Sequence, residues 1–302
     1  MSRFLDAIHS GKILISDGAT GSNLQARGLP DGKSGEAWVL ENPEAVQQLA
    51  SDFIQAGSEV VLTCTFGASR LHLANMGLVE ECERINCAAA RLTRQAAAVS
   101  GAFVAGSIGP TGQMLDPFGP LAVEDAEKTF AEQAGFLADA GVDLVVIETQ
   151  FDLGEALAAV RGVRSVTDLP LVISFSYDRG TKTMMGVSPL KAAKALADSG
   201  VDMIGINCGR SLEDNLAALK ELKAATSLPI WFKPNAGLPV TDELGNSVYD
   251  ITPRQMAEQV SESITAGAQV IGGCCGTSPA HLAAIARTVL ETNNYLLRTW
   301  KP

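Results

Sequence analysis

Several things are scarce in this chain, and each scarcity excludes something. No block of lysine and arginine stands out among its 302 residues, and the formal charge is −11. A nucleic-acid role therefore has little support, because such partners are held by concentrated basic surface. An acidic surface speaks for solubility and names no ligand. No apolar run approaches the about 18–20 residues that a membrane helix needs. The opening stretch, MSRFLDAIHSGK, carries Asp6 and lacks the apolar core of a secretory leader. A cytoplasmic location is expected. No Ser/Gly/Pro linker or low-complexity stretch interrupts the chain, so one domain is expected over 1–302, with a core over about 12–288 and a helical tail over 289–302. In that tail, Leu296, Leu297 and Trp300 read as exposed apolar residues that either seal the outside of the domain or meet another subunit. The oligomeric state stays open. Histidine is scarce too: His9, His72 and His281 do not cluster, and the last two fall on helical stretches as surface or packing residues. The His-rich ligand set of a water-activating zinc hydrolase is absent.

What is abundant is apolar sequence with a rhythm. Hydrophobic residues make up 46% and charged residues 19%, enough for a large core and against disorder. One phrase recurs: AGSEVVLTC from Ala56, AGVDLVVIE from Ala140, SGVDMIGIN from Ser199 and AGAQVIGGC from Ala266. Each reads as a helix end, a left-handed glycine cap and an apolar strand. Four further strands are expected in KILISD, AFVAGSIG, LPLVISF and LPIWFKP. The eight strand ends fall near Asp17, Cys64, Ile108, Glu148, Phe175, Asn207, Lys233 and Gly273, separated by 26 to 47 residues. The segments between them have helical texture. PEAVQQL opens on Pro43, and SPLKAAK and TPRQMAE open on a hydroxyl cap followed by proline. Eight strand–helix units with apolar strands predict a closed (β/α)8 TIM barrel. The competing open doubly wound sheet usually carries a glycine-rich phosphate loop, and DGATGSNLQ lacks that spacing.

Barrel enzymes place their chemistry on the loops after the strands. Cys208 follows strand six, and Cys274 and Cys275 follow strand eight, so three thiols reach one face. Three thiolates suit Zn²⁺ far better than Mg²⁺ or Ca²⁺, and three ligands plus an open position is the catalytic pattern. Such a centre carries net −1, which favours holding a reactive sulfur over making hydroxide. The alternative is buried, inert cysteine, with a vicinal disulfide a weaker competitor in a reducing compartment. Cys82 and Cys87 lie on a helical segment and read as packing residues. Cys64 ends strand two, within reach of the site. Asp17 and Glu148 end apolar strands and read either as acceptors for a substrate ammonium group or as structural ion pairs and caps. The turns GPTG (109–112) and NAG (235–237) could offer backbone N–H groups to a carboxylate. The loops 109–122 and 176–188 are expected to border the opening.

The motifs also match a known pattern. DGATGSNLQARGL, ENPEAVQQL, TFGAS, GSIGPTG, IETQFDLGEA, INCG, PNAGLP and GGCCGTSPAHL occur in one order over nearly the full length. The chain resembles the homocysteine S-methyltransferase family, and within it the homocysteine-binding zinc barrel of cobalamin-dependent methionine synthase. The resemblance implies zinc on Cys208, Cys274 and Cys275, homocysteine thiolate as methyl acceptor, Asp17 and Glu148 at the amino-acid end, and Asn235 close to the metal. Three features depart from the family. The folate and cobalamin modules do not follow, no Asp-x-His-x-x-Gly cobalamin motif occurs, and Cys64 stands in TCTFG where the family usually has asparagine. Any corrinoid, such as methylcobalamin, would have to arrive on a separate protein; a small onium compound such as S-methylmethionine is the other donor class. Among the aromatic residues, Trp38, Phe66, Phe151 and Trp231 are candidates for holding an onium group, without forming an evident cage. The alternative function is a zinc-barrel component of a corrinoid-dependent demethylation system. A non-enzymatic barrel that stores or senses zinc or a thiol is the third reading.

Overall fold

The computed structural model describes residues 2–241 and 247–299. Eight parallel strands form one sheet: β1 Leu14–Ile15, β2 Val60–Leu62, β3 Phe103–Ile108, β4 Leu144–Gln150, β5 Leu171–Phe175, β6 Met203–Cys208, β7 Ile230–Pro234 and, after a small antiparallel pair (β8 Val240–Thr241 and β9 Ser247–Val248), β10 Ala268–Ile271. Their order is β1-β10-β7-β6-β5-β4-β3-β2. A parallel bridge between Ser16 and Val60, with Glu59 N–H donating to Ile15 O at 2.7 Å, joins the two ends. The predicted TIM barrel is the observed fold, and the expected strand ends lie within two residues of the observed ones.

The local signals act as expected. Gly57, Gly141, Gly200 and Gly267, the glycines of the recurring phrase, all have φ between 81° and 109°, where a side chain would be strained. Asn42, Ser188 and Thr252 cap helices that begin with proline, and Thr252 with Gln255 forms a reciprocal capping box. The helix Pro279–Thr299 runs through position 288, so the expected boundary between core and tail falls inside one helix. No described helix is long and apolar enough to cross a membrane. The side chains of Leu296 and Leu297, and Trp300, lie outside the described residues.

Side-chain alternation sorts each strand into two populations. Val145, Ile147, Ile173, Ile204, Ile206, Ile230 and Phe232 face the surrounding helices. Leu14, Val60, Leu62, Leu144, Val146, Val172, Met203, Trp231 and Val270 fill the barrel interior. The helix Arg3–His9 closes the lower end with Phe4 and Ile8, each 1% exposed. Burying side chains of that size contributes about 2 kcal/mol apiece. Further toward the C-terminal ends of the strands, the inward positions become polar: Ser107, Glu148, Ser174, Asn207 and Lys233, all buried. A polar layer thus sits on top of the apolar ones, at the C-terminal face.

Candidate active site

The polar layer is bonded within itself. Ser107 Oγ donates to Glu148 Oε1 at 2.5 Å. Ser174 Oγ donates to Asn207 Oδ1, which also accepts the Thr149 N–H at 2.8 Å. Asn207 Nδ2 donates to Thr149 Oγ1 at 2.7 Å and lies 3.6 Å from Cys208 Sγ and 3.7 Å from Cys274 Sγ. Lys233 Nζ donates to Asp17 Oδ1 at 2.6 Å, in a pair whose side chains are 3% and 2% exposed.

The NAG turn has a different task from the one read in the sequence. The N–H groups of Asn235 and Ala236 are committed to the cysteine segments, and Pro234 accepts from one of them. Asn235 N–H donates to Cys208 O at 3.1 Å, Ala236 N–H to Cys275 O at 2.9 Å, and Cys274 N–H to Pro234 O at 2.9 Å. Asn235 Nδ2 adds a bond to Gly209 O at 2.8 Å. This turn stitches the loop after β6 to the loop after β10. The three sulfurs that result lie within 4.8 Å of one another, with Cys208 and Cys274 at 2.9 Å. Backbone strain accompanies the arrangement. Cys208 has φ 59° and Thr149 φ 61°, a region that non-glycine residues seldom occupy. Gly276, at φ 78°, lets the Tyr249 ring lie against its backbone; a Cβ there would meet the ring at 2.2 Å. That glycine explains part of the GGCCG sequence.

A cavity of about 570 Å³ opens over this layer. Its walls include all three sulfurs, Glu148, Thr149, Lys233 and Tyr249 on one side. On the other stand Glu36, Cys64, Phe66 and His72. Burial pushes the Glu148 carboxyl up to about 7, with Lys233 opposing. Burial works against the Lys233 charge, but Asp17 and then Glu148 more than offset it, and its pKa lies above the ordinary value. Burial, and then the nearby thiols, push the Tyr249 phenol up to about 12. Among the thiols, hydrogen bonds from Cys208 and then Cys274 lower the Cys275 pKa below its ordinary value.

The donor set passes a test for zinc. An ion at about 2.3 Å from each of three sulfurs in tetrahedral geometry spaces them by about 3.8 Å, so side-chain shifts of about 1 Å bring the observed sulfurs to that spacing. Among the described residues this is the only group of three or more His, Cys, Asp or Glu side chains so placed.

Other expectations need correction or placement. Asp17 does not line the cavity: Oδ1 is taken by Lys233 and by Ser16 Oγ at 3.3 Å, and Oδ2 by the Leu62 N–H at 2.7 Å. Asn235 stands behind the sulfur segments and not in the cavity wall; its Oδ1 is buried without a partner among the described residues. The GPTG amides are committed to neighbouring segments, Gly109 N–H to Phe66 O and Thr111 N–H to Glu155 Oε1. Neither the 109–122 loop nor the 176–188 loop lines the cavity, whose walls come instead from the segments after β1 and β2. Of the aromatic candidates, only Phe66 lines it; Trp231 is fully buried in the barrel interior, and Trp38 is a core residue. Cys64 lines the cavity outside the sulfur cluster, and burial, then Glu36, raises its thiol pKa. Cys82 is buried, His281 is tied to Ser278 and to Ile251 O, and His9 is exposed. Sequence reasoning assigned no role to Lys233, Glu36 or Tyr249. A lysine inside the apolar strand IWFKP was the one legible signal among them.

Comparison with known proteins identifies the family. The model of the homocysteine S-methyltransferase family matches residues 14–289. The chain is 29% identical to the methionine synthase of Mycobacterium tuberculosis over 93% of its own length, and 31% identical to that of Mycobacterium leprae over 94%. It spans 25% of the length of each of those relatives. The crystal structure of the Escherichia coli homocysteine methyltransferase MmuM in its metallated form superposes with a TM-score of 0.80 at 28% identity, covering 94% of this chain and 98% of that one. Sequence, fold and the placement of the three thiols lead to one assignment: the chain belongs to the homocysteine S-methyltransferase family.

Proposed function

We propose that the chain transfers a methyl group to the thiol of homocysteine, giving methionine, with zinc held by Cys208, Cys274 and Cys275. The observation that carries the reading is the convergence of three sulfurs from β6 and β10 within 4.8 Å at the wall of a cavity of about 570 Å³. Zinc bound there would stabilise a substrate thiol as its thiolate.

The surrounding residues supply the rest. Glu148, buried and facing the cavity, receives the ammonium group of the acceptor, and that charge favours its ionised form. Asn207 directs its amide toward Cys208 and Cys274 while its other bonds fix its orientation. The NAG turn sets the spacing between the two cysteine segments. The cavity leaves room beside a homocysteine for the donor methyl to approach in line, and holding both reactants contributes much of the acceleration. A sulfur–carbon bond forms, the donor–methyl bond breaks, and its electron pair stays with the donor.

A second reading makes the barrel one component of a corrinoid-dependent demethylation system. It is favoured by exposed Phe118, Met184 and Leu238 on loops that follow the strands, where a methyl-carrying protein could dock. One experiment separates the readings. Zinc-loaded protein with homocysteine is given S-methylmethionine, free methylcobalamin or a methylated corrinoid protein, and methionine is measured. Methionine from any donor supports the first reading. Methyl transfer to or from the corrinoid without homocysteine supports the second. No turnover with any donor removes both.

A further inference from the structure

Asp17 and Glu148 differ in what they have left to offer. Asp17 is spent on Lys233, Ser16 and the Leu62 N–H, and its charge is balanced by the ammonium 2.6 Å away. Glu148 has a single hydrogen bond, from Ser107, and no described cation within salt-bridge distance. Lys233 is the complement. Its three N–H donors have one acceptor among the described residues, and it lines the same cavity as Glu148 and the sulfurs. Trp231, the inward residue one layer below, lies with its ring centroid 5.9 Å from Nζ. An ammonium with unfilled donors, buried next to a cavity, is satisfied by an anion entering that cavity.

We propose that Lys233 binds the carboxylate of the acceptor amino acid while Glu148 binds its ammonium group, so that the cavity floor recognises a zwitterion. The proposal rests on homocysteine as the acceptor. It reassigns Asp17 from substrate contact to a positioning residue, which holds the Lys233 side chain from the end of β1, two strands away from β7 in the sheet. It also explains why a second carboxylate stands behind the lysine at the floor. One carboxylate neutralises the lysine's burial, and the other stays available for substrate.

Calorimetric binding to zinc-loaded protein tests the proposal, with three thiols as probes: homocysteine, γ-mercaptobutyrate (no ammonium) and γ-mercaptopropylamine (no carboxylate). Wild-type protein is expected to bind homocysteine about tenfold or more tighter than either analogue, each lost charge-assisted bond costing that much. In the paired variant Asp17→Asn/Lys233→Met, which removes both charges at similar volume, homocysteine and γ-mercaptobutyrate weaken about tenfold and γ-mercaptopropylamine keeps its affinity. Glu148→Gln gives the mirror pattern, weakening the two amines and sparing γ-mercaptobutyrate. Equal effects of the paired variant on all three probes, or none, would overturn the inference while leaving homocysteine as the acceptor. Wild-type protein that binds homocysteine no better than γ-mercaptopropylamine would overturn it without any variant. Absence of binding by all three thiols would sink the acceptor assignment and the inference together.

Discussion

The backbone N–H of Asn235 donates to the carbonyl of Cys208 at 3.1 Å, across the gap between two strands that are adjacent in space. With the Ala236 bond to Cys275, it makes the PNAG turn the part that decides how far apart the sulfurs lie.

The side chain of Asn235 reinforces this through Gly209 O. Asn235→Ala keeps the backbone bonds and loses that one. Zinc affinity, read by competition with a chromophoric chelator, is expected to fall about tenfold. Stability to urea should fall by about 1 kcal/mol. Unchanged affinity would mean that the backbone bonds alone fix the sulfur spacing.

Metal and fold should be linked. Zinc that binds only the native chain stabilises it by mass action. Removing it with a chelator is therefore expected to lower the melting temperature of the wild type. Cys275→Ala should melt at the same temperature with and without chelator, because its site is already broken. A chelator-sensitive Cys275→Ala protein would place the metal elsewhere.

Glu148 makes the metal-free fold pH-dependent. Its carboxyl is raised to about 7 by burial, from an ordinary value of 4.5. Between those values the folded state keeps a proton that the unfolded state releases, so stability falls as pH rises. The loss begins above 4.5 and is complete above about 7, amounting to at most about 3 kcal/mol. Urea titrations of metal-free protein at acidic and alkaline pH should show it, and Glu148→Gln should remove most of the difference. A Gln variant with the wild-type pH slope would assign the effect to another group.

The buried pair at the floor should behave asymmetrically. Lys233→Met alone leaves Asp17 charged, 1% exposed and without its cation. That change is expected to cost about 3–5 kcal/mol in urea unfolding. Adding Asp17→Asn should restore most of the loss, since a neutral pair of similar volume has no stranded charge. If the single and paired variants are equally unstable, packing and not charge accounts for the cost.

Much of the barrel was legible because its signals are local. Glycine at the end of a helix, proline at the start of one and an apolar strand each report on a few neighbouring residues, and the four recurring glycines do adopt the left-handed conformation. The sulfur set was legible for a related reason. Cys208, Cys274 and Cys275 all follow strands, and parallel strands in a barrel end on one face. What failed were inferences about where a side chain's hydrogen bonds go. Asp17 ends a strand just as Glu148 does, yet Asp17 meets a lysine from β7 and Glu148 does not. The GPTG and NAG turns look alike as turns, but the amides of one bond to Phe66 and Glu155 on neighbouring segments and those of the other bond to the cysteine segments.

The sequence by itself determined the eightfold alternation, the face on which the chemistry gathers, and the three thiols that share it. Each depends on periodicity or on short-range conformational preference, which a linear chain carries openly. Only the tertiary structure decided which charged groups are paired and which are free. Lys233 and Asp17 are 216 positions apart in the chain and 2.6 Å apart in space. A charge is neutralised by whatever stands within a few ångströms of it, and barrel closure brings those neighbours together from distant parts of the chain.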